Sequence, residues 1–126
     1  FGVLKVPVSR MNTESNTSVE VSNEMLEIAT FREDQEYLDH RHPKSVRFAG
    51  PEEDASRRDF TINGLFYDPK TRRILDCVGG VDDLKNGVIR AIGNPAARFH
   101  EDALRILRAI RFTARFGFKL EEETLK

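Results

Sequence analysis

The stretch RRDFTINGLFYDPKTRRILDCVGGVDDL, residues 57–84, carries most of the architectural signal in this chain. Pro51 and the acids that follow it suit the first turn of a helix, where a missing N–H costs nothing and negative charge meets the dipole. The spacing predicts that this helix runs on through RRDFTINGLFY, with Phe60, Leu65 and Phe66 turned inward. Asp68-Pro69-Lys70-Thr71 is turn chemistry and separates two short strands, FYD and RRILDCV. Gly79-Gly80 breaks the chain before a short helix, VDDLKNG, and a strand is expected over residues 88–92.

Working outward, residues 2–8 and 25–31 read as strands that pair antiparallel across the polar loop of residues 9–18. Residues 19–21 could start a further strand. The charged segment of residues 32–44 has no apolar period and reads as a loop, with a short strand over residues 45–48. After a brief turn at Asn94-Pro95, a long helix is expected from about Phe99 to Phe116, closed by Gly117. Strands early and helices late give an α+β fold with a boundary near residue 90, so that residues 1–90 and 91–126 form two parts.

Composition narrows the function classes. The chain has 126 residues, 39% apolar and 33% charged, with 20 Lys+Arg against 21 Asp+Glu. That balance excludes a globally basic nucleic-acid binder but not a local basic stripe. No apolar run approaches a membrane span, and the first residues lack a signal-peptide pattern. The lone Cys77 excludes an internal disulfide and a cysteine zinc site. His40 and His42 form H-x-H without a third ligand at fitting spacing, so a metal site there is not expected, and His100 is read as structural. Both ends look cut, which suggests a piece of a longer protein.

Three groups of residues point to chemistry. Asp59 and Asn63 stand four apart, so on a helix they would share a face and could hold two ribose hydroxyls, while Arg58 could take a phosphate through its fork of donors. A plain helix start, with Asp59 as cap or arginine partner, fits the same residues. On the long helix, Arg105, Arg108, Arg111 and Arg115 share an arc with Glu101, and Phe112 sits among them. Ala103, Ile106, Leu107, Ile110 and Ala114 occupy the opposite arc and are expected to be the buried face. The arginine face is either a solvated face tied by ion pairs or a surface for RNA or a triphosphate. Glu27 interrupts the apolar run MLEIATF; it is costly if buried unpaired and unremarkable at a strand edge facing water.

RRDFTINGLFYDP, followed by DCVGGVDDLKNGVIRAIGNPAARFHEDALRILRAIRFTARFGF, resembles the bacterial tRNA nucleotidyltransferase/poly(A) polymerase family, the class II CCA-adding enzymes. LEIATFRED, YLDHRHP and FGVLKVPV extend the likeness almost end to end. The resemblance implies a partial nucleotidyltransferase head of the polymerase-β-like kind, followed by the start of a helical neck. It implies that Arg58, Asp59 and Asn63 bind the ribose and triphosphate of an incoming nucleotide. It makes Asp76, Gly79, Gly80 and Asp83 a hinge. It makes Asp102 and Arg105 the pair that selects the base, with Arg108 in support. A guanidinium and a carboxylate three residues apart on a helix can together read the Watson–Crick edge of cytosine or adenine.

Glu27 resembles the third, supporting carboxylate of a Mg²⁺ site whose paired aspartates are expected upstream of Phe1. Domains gripping the tRNA are expected beyond Lys126. The implied activity is cytoplasmic addition of nucleotides from CTP and ATP to a tRNA 3′ end, with this chain inactive alone. A poly(A) polymerase, an enzyme adding only C or only A, and a non-catalytic nucleotide- or RNA-binding module share the same motifs.

Overall fold

The computed structural model describes residues 3–7, 25–37 and 43–126. They divide into two compact units, residues 1–30 and residues 31–126. In the first, β1 (Leu4–Pro7) pairs antiparallel with β2 (Met25–Ile28), in the register Leu4 to Ile28 and Lys5 to Glu27. This is the pairing expected from the two apolar runs.

The second unit begins with a correction. The charged segment is not all loop: β3 (Arg32–Tyr37) pairs antiparallel with β4 (Pro43–Phe48). Opposite charges across the ladder supply what apolar alternation does not, as where Glu33 faces Arg47 and meets its guanidinium at 2.6 Å. His40 and His42 lie outside the described residues.

Helix α1 (Pro51–Ser56) starts where proline and acids indicate, and Glu53 accepts a bond from Gly50 N at 3.0 Å. It then stops, against expectation. Phe60 is extended, Thr61–Asn63 form a single 3-10 turn, and β5 (Leu65–Asp68) follows. The cause is tertiary. Thr61 N donates to Arg90 O at 2.9 Å and Ile92 N to Asp59 O at 3.0 Å, so Phe60 forms a bridge to Ala91. That pairing competes with helix for the same backbone groups.

β5 pairs antiparallel with β6 (Arg73–Asp76) around the expected turn, where Asp68 accepts bonds from Lys70 N and the Thr71 hydroxyl. Helix α2 (Gly80–Asn86) packs its first residue on the 3-10 turn so closely that a Cβ on Gly80 would lie 2.1 Å from Thr61 O. Only glycine fits there. β7 (Val88–Ile89) runs parallel to β8 (Lys119–Leu120), and α5 (Glu122–Leu125) ends the chain.

The expected long helix is two. α3 (Pro95–Glu101) is capped by Asn94, whose side chain accepts from Ala97 N at 2.9 Å. α4 (Leu104–Phe116) follows a break at Asp102, which has φ −147° and ψ 103°. Gly117, at φ 68°, ends α4 as its position predicts.

The burial of α4 reverses the expected face. Arg105 and Ala109 are buried, whereas Ile106, Leu107 and Ile110 are 46–63% exposed. Aromatic area decides it. Phe60 is fully buried with Ile89 and Ala109, Phe112 meets it edge-on at 5.9 Å, and Phe116 and Phe118 continue the cluster. This core spans the division expected near residue 90, which stays a proposal. Among the described residues, no helix is long and apolar enough to cross a membrane.

Candidate functional site

The carboxylate of Asp54, on α1, organises a polar cluster of the second unit. It is 2% exposed. Its Oδ1 accepts from Arg57 Nε at 3.0 Å, Arg57 Nη2 at 2.5 Å and Arg32 N at 3.2 Å. Its Oδ2 accepts from Arg58 Nε at 3.0 Å and Nη2 at 2.8 Å. Burial pushes its pKa up, but the bonds from Arg57, Arg58 and Arg32 N outweigh that and hold it below the ordinary aspartate value.

Arg58, expected as a phosphate ligand, is therefore already oriented. Its Nη1 donates to Asn63 O at 2.9 Å, and its guanidinium lies 4.8 Å over the Phe66 ring. Asp59 and Asn63 do meet, but through the 3-10 turn and not on a shared helix face. Asn63 Nδ2 donates to Asp59 Oδ1 at 3.0 Å, and Phe60 N donates to the same oxygen at 2.8 Å. The other oxygen, Oδ2, accepts from Arg108 Nε at 2.5 Å. Four of the residues singled out from the sequence, Arg58, Asp59, Asn63 and Arg108, thus form one connected group.

Asp102 and Arg105 do not join it. Asp102 and Arg105 stay one turn apart, with Arg105 N donating to Asp102 O at 3.0 Å, while their side chains turn to different partners. Asp102, the residue that ends α3, accepts from the backbone N–H of Leu104, the first residue of α4, at 2.9 Å. Arg105 points inward: Nη1 donates to Arg98 O and to Glu101 Oε2, and Nη2 donates to Arg57 O at 3.2 Å. Burial of this arginine is tolerated because carbonyls and a carboxylate receive it.

The residues implied as a hinge are firmly held. Asp76 accepts from Val78 N, Gly80 N and Val81 N at 3.0–3.1 Å. Burial pushes its pKa up and these bonds more than offset it, leaving a net lowering. Asp83 is buried and accepts from the Thr61 hydroxyl at 2.7 Å and from Arg90 Nε. In the first unit, Glu27 forms an ion pair with Lys5 at 2.8 Å, both side chains being 60% exposed. Of the two readings of Glu27, the strand edge facing water is the one observed. The hydrogen bond and charge of Glu27 raise the Lys5 pKa.

A cavity of about 470 Å³ is lined by Glu33, Glu52, Glu53, Ser56, Arg57, Arg98 and Glu101. Four carboxylates against two guanidiniums make it a poor seat for a polyphosphate, and none of the expected site residues lines it. Among the described residues, no group of three or more His, Cys, Asp or Glu side chains is placed to hold a metal ion. Sequence reasoning missed Asp54. The signal available was its i,i+3 and i,i+4 spacing to Arg57 and Arg58.

Residues 4–90 match the family model described as the poly(A) polymerase head domain. A CCA-adding enzyme of Ligilactobacillus salivarius (strain UCC118) is 54% identical over 99 residues, which cover 78% of this chain and 24% of that protein. The crystal structure of the Bacillus stearothermophilus CCA-adding enzyme in complex with CTP superposes with a TM-score of 0.69 at 37% identity, over 84% of this chain and 25% of that one. A CCA-adding enzyme in complex with ATP superposes with a TM-score of 0.53 at 47% identity, over 58% of this chain and 18% of that one. The chain spans about a quarter of the length of the curated relatives it matches.

Proposed function

The chain belongs to the poly(A) polymerase head-domain family, and from that membership we propose that the protein carrying it is a cytoplasmic nucleotidyltransferase that adds nucleotides from CTP and ATP to a tRNA 3′ end. The observation that carries this reading is the convergence of Arg58, Asp59, Asn63 and Arg108. An acid and an amide joined at 3.0 Å suit the donor–acceptor hydroxyl pair of a ribose. Guanidiniums on either side suit phosphates. Arg108 covers Asp59 Oδ2, so a ribose hydroxyl reaches that oxygen when Arg108 moves aside. The same movement makes this cation available to the triphosphate.

Base selection falls to Asp102 and Arg105 in this reading. It requires Arg105 to leave the Arg57 carbonyl and turn outward beside the carboxylate at the helix break. Mg²⁺ supplies charge neutralisation on the triphosphate in phosphoryl transfer of this kind. The described carboxylates do not by themselves fit a Mg²⁺ pair, since no group of three or more such ligands stands together among the described residues. No step through the metal is assigned to this chain, and Glu27 remains a proposed supporting carboxylate for the whole protein.

Product length on tRNA lacking CCA tests the reading. The expected product gains C, C and A and then stops. A long A tail would instead fit the poly(A) polymerase in the matched family's description, addition from one nucleotide alone would fit a C-only or A-only enzyme, and no product from either triphosphate would leave a binding module. In that protein, Asp102→Ala is expected to loosen the choice between CTP and ATP; unchanged choice would remove the base-selecting role.

A further inference from the structure

Arg58 has more constraints than a surface phosphate ligand needs. A guanidinium carries five N–H donors in one plane. Asp54 takes two of them, on Nε and Nη2, and Asn63 O takes one on Nη1. One N–H on each terminal nitrogen is left without an acceptor among the described residues. The side chain is 35% exposed while Asp54 is 2% exposed. The Phe66 ring, itself packed edge-on at 5.0 Å against Phe31, lies 4.8 Å from the guanidinium carbon and covers the group from one side. Edge, face and one terminal nitrogen are thus all set before any ligand arrives.

A buried carboxylate is a poor way to gain stability alone, because apolar packing of the same volume often does as well. Asp54 serves two consecutive arginines, and on Arg58 it leaves one N–H of each terminal nitrogen to other acceptors. We propose that Asp54 is a positioning residue, which grips one edge of Arg58 so that its remaining donors face the triphosphate of an incoming nucleotide. The inference rests on the reading of Arg58 as a phosphate ligand. It deepens that reading by locating what prevents the guanidinium from collapsing onto other acceptors. Such preorganisation lowers the ordering cost of each phosphate contact.

The test is a double-mutant cycle in the protein that carries these residues, with Asp54→Asn, Arg58→Gln and the pair together. Binding of CTP and of cytidine is read by calorimetry and competition, with circular dichroism to check folding. Asp54→Asn is expected to weaken CTP by about tenfold, the scale of one charge-assisted hydrogen bond, and to leave cytidine within about twofold. Added to Arg58→Gln, it is expected to change CTP binding by less than about twofold, since residues acting as one unit are not additive. Equal losses for cytidine and CTP, or additive losses in the cycle, would overturn the inference. So would an unaltered CTP affinity in Asp54→Asn alongside a weakened one in Arg58→Gln, and that outcome spares the phosphate reading of Arg58. An unaltered CTP affinity in Arg58→Gln overturns both. Should Asp54→Asn fail to fold, Asp54→Glu goes through the same cycle with the same outcomes.

Discussion

Arg58, Asp59 and Asn63, in the segment of residues 54–63, and Asp102 and Arg105, in that of residues 102–108, are all expected from the sequence to grip parts of one nucleotide, and the fold treats the two segments in opposite ways. In the first segment, a buried carboxylate holds two arginines while Arg58 keeps donors open to solvent. In the second, the arginine expected to read a base is itself buried, and the acid expected beside it accepts from the backbone N–H of Leu104. Spacing along the chain therefore does not by itself decide how an arginine is presented. What matters is which partner takes the inner edge of the guanidinium and whether donors remain outward.

That contrast can be broken at several points. The largest effect is expected for Phe60→Ala, because Phe60 anchors the first segment to α4 and is fully buried. Deleting a buried aromatic ring costs about 4 kcal/mol, read as a shift in denaturant midpoint with unchanged slope. A cost under about 1 kcal/mol would mean that the two segments do not share a core.

Asp54→Ala comes next. Removing a buried anion from two guanidiniums costs about 3 kcal/mol, near the lower end for broken buried pairs since both arginines are partly exposed. The acid limb of the stability profile sharpens this. The folded pKa of Asp54 lies below its unfolded value, so its contribution is present above about pH 4 and is lost as pH falls through the lowered folded value. Asp76 contributes in the same direction. Replacing Asp54 by Asn is expected to flatten that limb, and an unchanged limb would put its origin elsewhere.

Asp102→Ala should cost about 1 kcal/mol, the usual value for one helix-start hydrogen bond, and should leave the fold intact. The smallest effect belongs to Leu107→Ala, within about 0.5 kcal/mol, because that side chain is 63% exposed. Ala109→Leu, on the face that is packed, should cost about 1–3 kcal/mol by overpacking. The reverse order would restore the face expected from the sequence.

Elements whose signals are local were legible. Proline and acids started α1 at Pro51, Gly117 closed α4, Asp68 made its turn, and the first two strands paired as their apolar runs suggest. The group of Arg58, Asp59 and Asn63 was legible too, because its spacing survives the change from α-helix to a 3-10 turn. Strand β3 was not, since a charged strand that meets its partner through the Glu33–Arg47 ion pair has no apolar period to read. The end of α1 was not, because the competing bonds at Thr61 and Ile92 come from a segment about thirty residues away in sequence.

Residue order alone determined which side chains with suitable chemistry stand close enough along the backbone to act together, because hydrogen-bonding type and short-range spacing are properties of the chain. Only the tertiary structure decided which face of α4 is covered in this chain and which acceptors each arginine meets. Both depend on what the rest of the molecule brings alongside. In this chain a cluster of phenylalanine rings packs on the Ala109 face of α4, and a buried aspartate or a carbonyl takes a guanidinium edge.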